Sequence, residues 1–121
     1  GYFYPVTLLL EVAPEMAASC EETFGPVAVV MRAPDLEYAL AIANDTPYGL
    51  GAAIWTKDVE RAEEVATRIE TGQVSINGIV KTDPRLPSGG VKRSGYGREL
   101  GPHGITEFTN AQQVWIGPKK E

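Results

Sequence analysis

The chain has 121 residues, 43% of them hydrophobic, which gives it the length and apolar content of one domain. Sixteen acidic against eleven basic residues give a net charge of −5, which argues against a nucleic-acid-binding surface and against binding to anionic membranes, and favours a small-molecule or protein partner. The single cysteine excludes an internal disulfide framework, no Cys/His cluster offers a metal site, and the apolar runs are too short to span a membrane, a combination typical of a cytoplasmic protein.

The first part of the chain predicts two strands and two helices. Tyr2–Val12 is rich in aromatic, β-branched and leucine residues and is expected to contain a strand. Pro14 opens a turn or short helix that ends near Glu22, and the continuously apolar segment Val27–Met31 predicts a strand buried on both faces. Asp35 can cap a helix whose apolar side is formed by Leu36, Ala39, Leu40 and Ala43.

The middle of the chain repeats this order. Leu50–Trp55 predicts an apolar strand, and Asp58 predicts the N-cap of a helix whose C′ residue is Gly72. Apolar residues recur within that helix at helical spacing, namely Val59, Ala62, Ala66 and Ile69. Gln73–Asn77 follows as a strand. A strand–helix–strand–helix–strand order normally gives parallel strands joined by crossover helices, so we predict an α/β fold with a partial parallel sheet.

A long glycine-rich loop is expected between Gly78 and Gly104, where regular periodicity stops. The pair Gly95-x-Gly97 lacks the third glycine of a dinucleotide fingerprint and follows a loop instead of a strand, and no phosphate-loop motif is present. We therefore interpret these glycines as sites of left-handed turns and of close approach between backbone segments.

The last residues predict a helical turn and a strand. Ile105–Phe108 has the length of one turn, and Gln112–Ile116 alternates apolar and polar residues before the charged end, Pro118–Glu121. A short strand at a chain end can extend the sheet of a neighbouring subunit through its backbone hydrogen bonds. The strand is therefore a candidate oligomerisation element.

Glu22 and Phe24 are candidates for cofactor binding. In an extended segment, side chains two residues apart point to the same side. A carboxylate can accept two hydrogen bonds from the vicinal hydroxyls of a ribose, and a phenyl ring can limit where an attached nicotinamide lies. Taken alone, the hexapeptide that contains this pair favours a solvated glutamate beside a core phenylalanine.

We expect no catalytic nucleophile in this chain. Cys20 has no histidine or cationic cluster near it in the sequence, and the adjacent Glu21 and Glu22 disfavour a thiolate. His103 lies between Pro102 and Gly104, where it is expected to end a turn, and no partner motif for a catalytic triad is present.

Two segments carry a resemblance to a known family. Glu22-Thr23-Phe24-Gly25-Pro26-Val27 and the run Leu86–Gly101, which reads LPSGGVKRSGYGRELG, resemble the C-terminal part of NAD(P)-dependent aldehyde dehydrogenases. The similarity extends from about Gly1 to Ile116. It implies aldehyde oxidation to a carboxylic acid, with the nicotinamide ribose of NAD or NADP bound by Glu22 and Phe24. It also implies that the nucleophilic cysteine, the general base and the dinucleotide-binding half lie upstream of Gly1, so NAD and NADP cannot be told apart from these residues.

The resemblance also bears on the substrate. The segment Thr82-Asp83-Pro84-Arg85 is most similar to succinate-semialdehyde dehydrogenases, and Ser88 stands where the family motif usually carries an aromatic residue that walls the aldehyde tunnel. A serine hydroxyl in that wall suits a carboxylated substrate, because burying a carboxylate without polar partners is costly. We therefore expect Thr82, Arg85 and Ser88 to contact the substrate, with a solvated Arg85 as the open alternative.

The predicted organisation has two parts. Residues 1–104 are interpreted as the C-terminal part of a catalytic domain and residues 105–121 as an oligomerisation tail, with a dimer or tetramer expected. The expected partners are the aldehyde and the missing N-terminal portion of the enzyme. A non-catalytic α/β binding or assembly module is the alternative, since the chain holds no recognisable nucleophile.

Overall fold

The computed structural model describes residues 1–119, which contain six short strands and four helices. The strands are β1 (Thr7–Leu9), β2 (Val27–Val29), β3 (Tyr48–Gly49), β4 (Gly51–Ile54), β5 (Gln73–Ile76) and β6 (Val91–Lys92). The helices are α1 (Ala17–Cys20), α2 (Leu36–Asn44), α3 (Val59–Ala66) and α4 (Gly101–Thr106).

The strands form three pairs, two of them parallel. β1 lies parallel to β2, with Thr7 opposite Val27, and β4 lies parallel to β5, with Gly51 opposite Gln73. β3 and β6 pair in the antiparallel sense. The predicted crossover is thus confirmed for β4–α3–β5. Within residues 1–119, however, no strand ladder joins β2 to β4, so the predicted strand–helix–strand–helix–strand unit does not form one sheet.

Local sequence signals set the starts of α2 and α3. The Asp35 carboxylate accepts a hydrogen bond from the backbone N–H of Tyr38 at 2.8 Å, and the Asp58 carboxylate accepts one from Arg61 at 3.1 Å. Both residues satisfy backbone donors that the first helical turn leaves without partners, so both predicted N-caps are confirmed.

The predicted end of α3 is wrong. The helix stops at Ala66, six residues before Gly72. Gly72 instead lies against the glycine-rich loop, where an added Cβ would come within 1.7 Å of the carbonyl oxygen of Gly89. Glycine is required there by close backbone approach, a long-range constraint that the helical pattern does not contain.

Few side chains are buried in this part of the chain. Leu40 on α2 and Ala62 and Val65 on α3 form its buried apolar core. The predicted burial of Val27–Met31 on both faces is wrong, because Val27 and Val29 are half-buried while Ala28 and Val30 are exposed. One face of the β1–β2 pair is therefore open.

The glycine-rich loop is more ordered than its sequence suggests. It contains β6 and a bridge in which Ser88 and Glu99 exchange two backbone hydrogen bonds of 2.8 Å. The predicted turn at Ile105–Phe108 begins four residues earlier, as α4, because Pro102 suits the first helical turn. His103 consequently lies inside α4 and does not end a turn.

The tail has no strand in this single chain. Residues 110–119 carry no regular secondary structure, so the predicted strand Gln112–Ile116 is not formed here. Lys120 and Glu121, in the predicted charged end, lie outside the described residues. Among residues 1–119, no helix has both the length and the apolar character that a membrane crossing requires.

Candidate active-site clefts

Glu22 lines an open cleft of about 420 Å³, which we call the Glu22 cleft. One wall is formed by Ser19, Cys20, Glu21 and Glu22, at and after the end of α1, and the other by the α2–β4 connection together with Thr71 and Ser94. Its volume lies within the range of small-molecule sites, about 300–1,000 Å³. Among the described residues, the Glu22 carboxylate makes no side-chain hydrogen bond or ion pair. Its oxygens are therefore free to accept hydrogen bonds from a ligand.

Phe24 does not share this cleft. Its backbone is left-handed, with φ of 45°, and the ring is 92% exposed. The left-handed residue interrupts the extended segment on which the same-side prediction depended, so Glu22 lines the cleft while Phe24 lies outside its lining. A left-handed backbone is uncommon for a residue other than glycine and costs free energy, and such residues are frequent at functional sites.

Cys20 is held by a local contact. Its thiol donates a hydrogen bond to the carbonyl oxygen of Pro14, with a sulfur–oxygen distance of 3.0 Å. The residue is exposed on the same wall as Glu21 and Glu22. The described residues that line this cleft include no histidine, lysine or arginine, the groups that commonly activate a catalytic thiol. Within residues 1–119, no group of three or more His, Cys, Asp or Glu side chains is arranged to hold a metal ion.

Ser88 lines a second cavity, of about 260 Å³, between β5 and the loop that follows it. We call it the Ser88 cavity; its other walls include Val74, Ser75, Lys81, Asp83 and Leu86. Ser88 is 8% exposed and is the buried polar residue of the described chain. Its backbone bridge to Glu99 fixes the main chain of the loop at this point.

Arg85 and Thr82 are placed differently from Ser88. Both are exposed, and neither belongs to the lining of the Ser88 cavity. The Arg85 guanidinium donates to both oxygens of Asp83, with Nε–Oδ1 of 2.9 Å and Nη2–Oδ2 of 2.7 Å. The lining of the cavity therefore includes Asp83 of this pair and does not include Arg85.

Asp83 and Lys81 are charged lining residues of the cavity that sequence reasoning missed. Side-chain hydrogen bonds from Arg85 hold the pKa of the Asp83 carboxyl below its ordinary value and raise the pKa of Arg85. Asp83 thus stays ionised, with its charge compensated by its neighbour. The sequence signal that could have indicated this pair is an acidic and a basic residue on either side of Pro84.

The described residues form an α/β unit with one cleft lined by Glu22 and one cavity lined by Asp83 and Ser88. Residues 1–114 match the family described as "Aldehyde dehydrogenase family". The chain belongs to the aldehyde dehydrogenase family.

Relatives with known names and structures agree with this assignment. A Synechocystis protein named "Probable succinate-semialdehyde dehydrogenase", whose name gives NADP(+) as cofactor, is 53% identical over 116 residues, which is 96% of this chain and 26% of that protein. Succinic semialdehyde dehydrogenase from Streptococcus pyogenes, solved in complex with NADP+, is 39% identical with a TM-score of 0.89 over 98% of this chain and 26% of that one. An aldehyde dehydrogenase of Mycobacterium tuberculosis complexed with NAD+ is 42% identical, with a TM-score of 0.86 over 91% of this chain and 23% of that one. The chain spans about a quarter of the length of these relatives.

Proposed function

We propose that this chain is the C-terminal part of an NAD(P)-dependent aldehyde dehydrogenase that oxidises succinate semialdehyde to succinate. The observation that carries the proposal is the 53% identity to a relative named for this activity, over 96% of the chain. The remaining portion of the enzyme would supply the nucleophilic cysteine and the general base. A bound nicotinamide would supply the hydride acceptor.

The Glu22 cleft is the proposed site of the nicotinamide ribose. Glu22 has free acceptor oxygens on the wall of a cleft of about 420 Å³, which fits a vicinal diol donating two hydrogen bonds. Phe24 is exposed beside the same segment, and we propose that its ring restricts the nicotinamide from outside the cleft. The two residues thus orient the cofactor without taking part in bond making.

The Ser88 cavity is the proposed site of the substrate carboxylate. The Ser88 hydroxyl can donate a hydrogen bond to a carboxylate, and Thr82 is proposed to donate a second one from the cavity's edge. Asp83 alone would repel the substrate, because two carboxylates in a shared site disfavour each other's ionisation. Arg85 compensates that charge through its paired hydrogen bonds, and this is its proposed role in substrate binding.

The exposed apolar residues support a proposal about the protein partners of this chain. Leu8, Leu10 and Val30 are each more than 40% exposed on or beside the β1–β2 pair. Since the relatives are about four times longer than this chain, we propose that the remaining portion of the same enzyme covers this face. Residues 1–104 would then complete a catalytic domain, and residues 105–121 would form a tail that adds a strand to a neighbouring subunit in a dimer or tetramer.

The proposal is tested with two purified samples. The full-length protein is expected to reduce NAD+ or NADP+ when given succinate semialdehyde, measured as absorbance of the reduced nicotinamide. The 121-residue chain alone is expected to give no reduction. Turnover by the isolated chain would contradict the proposal that the nucleophile and the general base lie in the remaining portion of the enzyme. A full-length protein that oxidises none of the aldehydes tried would favour a non-catalytic module.

A further inference from the structure

Lys92 joins three separate segments of the chain. Its ammonium donates a hydrogen bond to the carbonyl oxygen of Asn44, the last residue of α2, at 2.7 Å. It also forms an ion pair with Glu70, which follows α3, at 2.8 Å. Lys92 itself belongs to β6 in the glycine-rich loop. One side chain thus connects the loop to the end of α2 and to the segment that follows α3.

The two segments that Lys92 contacts are also hydrogen-bonded to each other. The Asn44 side chain accepts a hydrogen bond from the backbone N–H of Glu70 and donates one to the carbonyl oxygen of Arg68, each 2.9 Å long. The end of α2 and the segment after α3 are therefore already fixed to each other. Lys92 closes the cluster with a side chain that is 24% exposed, so its charge is partly shielded from water.

The backbone of Lys92 indicates that this position is maintained against strain. Its φ is 54°, in the left-handed region that favours glycine. A glycine would remove the strain and also the ammonium group. A lysine at a position where glycine would fit the backbone better is expected when its side chain has a structural or functional role.

Both candidate clefts depend on the position of this loop. Two residues after Lys92, the Ser94 hydroxyl accepts a hydrogen bond from the backbone N–H of Gly49 at 3.0 Å, and both residues line the Glu22 cleft. Four residues before Lys92, Ser88 lines the other cavity. We call the contacts of Lys92 with Asn44 and Glu70 the clamp. In the sequence, Lys92 thus lies between Ser88 in the wall of one cavity and Ser94 in the wall of the other cleft.

We propose that Lys92 is a positioning residue that fixes the glycine-rich loop and thereby sets the Glu22 cleft and the Ser88 cavity together. The proposal rests on the proposed function, because it assigns these two clefts to the cofactor and the aldehyde. Lys92 is not among the residues that line either cleft. Its effect is to hold Ser94 and Ser88 at a constant separation from the helices.

The test uses Lys92→Met in the full-length enzyme, since methionine keeps an unbranched side chain and removes the charge. Glu70→Gln removes the charge of the ion-pair partner of Lys92 and leaves Lys92, the residue with the left-handed backbone, unchanged. Lys57→Met is the matched control, because Lys57 is exposed and has no side-chain hydrogen bond or ion pair within the described residues.

Kinetics provide the first measurement. Lys92→Met is expected to lower kcat/KM for both the aldehyde and the cofactor by about ten- to a hundredfold, because small misplacements of binding groups have effects of that size. Lys92→Arg, which keeps the charge, is expected to recover part of this loss. A merely structural role would lower the active fraction and leave both KM values unchanged, and that result would overturn the proposal.

Hydrogen–deuterium exchange provides a measurement that needs no turnover. Faster exchange in residues 88–95 of Lys92→Met and Glu70→Gln, with α3 unchanged and Lys57→Met like the wild type, is the expected result. Unchanged exchange in this loop would refute the clamp even in an active enzyme. An enzyme that oxidises no aldehyde but shows the expected exchange would refute the proposed function and leave the clamp standing.

Discussion

At the scale of single residues, Glu22 offers the most direct test of the proposed cofactor site. Glu22→Gln preserves size and loses the charge of the acceptor, and one hydrogen bond to a charged group contributes about 1.5–3 kcal/mol. We expect hydride transfer in the full-length enzyme to slow by about ten- to a hundredfold in single-turnover experiments, with a smaller change in binding at the adenine end of the cofactor.

Cys20 provides the matched control for this prediction. It lines the same cleft as Glu22, and serine can keep its hydrogen bond to the Pro14 carbonyl. Cys20→Ser is therefore expected to leave the single-turnover rate near that of the wild type. A rate unaltered by Glu22→Gln would reject the ribose assignment, while abolition by Cys20→Ser would mean that the cleft contains the nucleophile.

Ser88 tests the choice of substrate. Ser88→Ala removes the hydroxyl with little change in volume, and Ser88→Phe also fills the cavity of about 260 Å³. Loss of one hydrogen bond to a carboxylate, about 1.5–3 kcal/mol, is expected to lower kcat/KM for succinate semialdehyde relative to butanal by about ten- to a hundredfold in Ser88→Ala. The phenylalanine variant is expected to reduce this ratio further. Equal losses on the two aldehydes would show that Ser88 only shapes the loop.

At the scale of helices and strands, α2 is tied to the segment after α3 by a paired ion contact. Arg68 donates hydrogen bonds to both carboxylate oxygens of Glu37, which lowers the pKa of Glu37 and raises that of Arg68. Both side chains are largely exposed, so solvent screens the interaction. Its contribution to the stability of this face is correspondingly small and depends on pH.

The sign of the pH effect follows from the direction of the shift. Because the folded pKa of Glu37 lies below the unfolded value, the pair stabilises the fold at neutral pH, and this stabilisation is lost as the pH falls through the lowered pKa. The difference in Tm between the wild type and Glu37→Gln is therefore expected to be largest near neutrality and to shrink in acid. A difference that grows as the pH falls would contradict the assignment.

Elements with local signals were predictable, and those made by distant contacts were not. Asp35 and Asp58 predict the starts of their helices, because an N-cap side chain bonds to a backbone N–H only three residues later. The pairing of Tyr48 with Lys92 joins positions far apart in the sequence through two-residue strands, too short to show a periodicity. The same limit applies to Gly72, whose constraint comes from Gly89.

The candidate sites divide in the same way. Glu22 was identified through its motif, and the structure places it in a cleft. The orientation of Phe24 could not be inferred, because a left-handed φ at a non-glycine residue has no reliable sequence signal. Asp83 was overlooked because a charged residue beside an arginine is usually a solvated pair, and only the fold brings it to a cavity.

At the scale of the whole molecule, the exposed apolar residues are the dominant feature. Aromatic side chains are exposed to solvent near both ends of the described chain, with Phe3 at 100% and Trp115 at 77% exposure. Single exposed apolar residues are common, but such a concentration of large ones marks a surface that contacts other protein. For the first segment the proposed contact is the remaining portion of the enzyme, and for the tail it is a second subunit.

The tail prediction can be tested by truncation. Residues 112–116 form no strand in the single chain, yet Val114, Trp115 and Ile116 are more than 75% exposed and can pair only if a partner strand is supplied. Deleting residues 112–121 from the full-length enzyme is expected to shift its mass in light scattering toward smaller species. Replacing only residues 117–121 with glycine and serine is the control, because it keeps the apolar segment and should preserve the oligomer. If the truncated enzyme retained the wild-type mass, subunit association would have to depend on another surface.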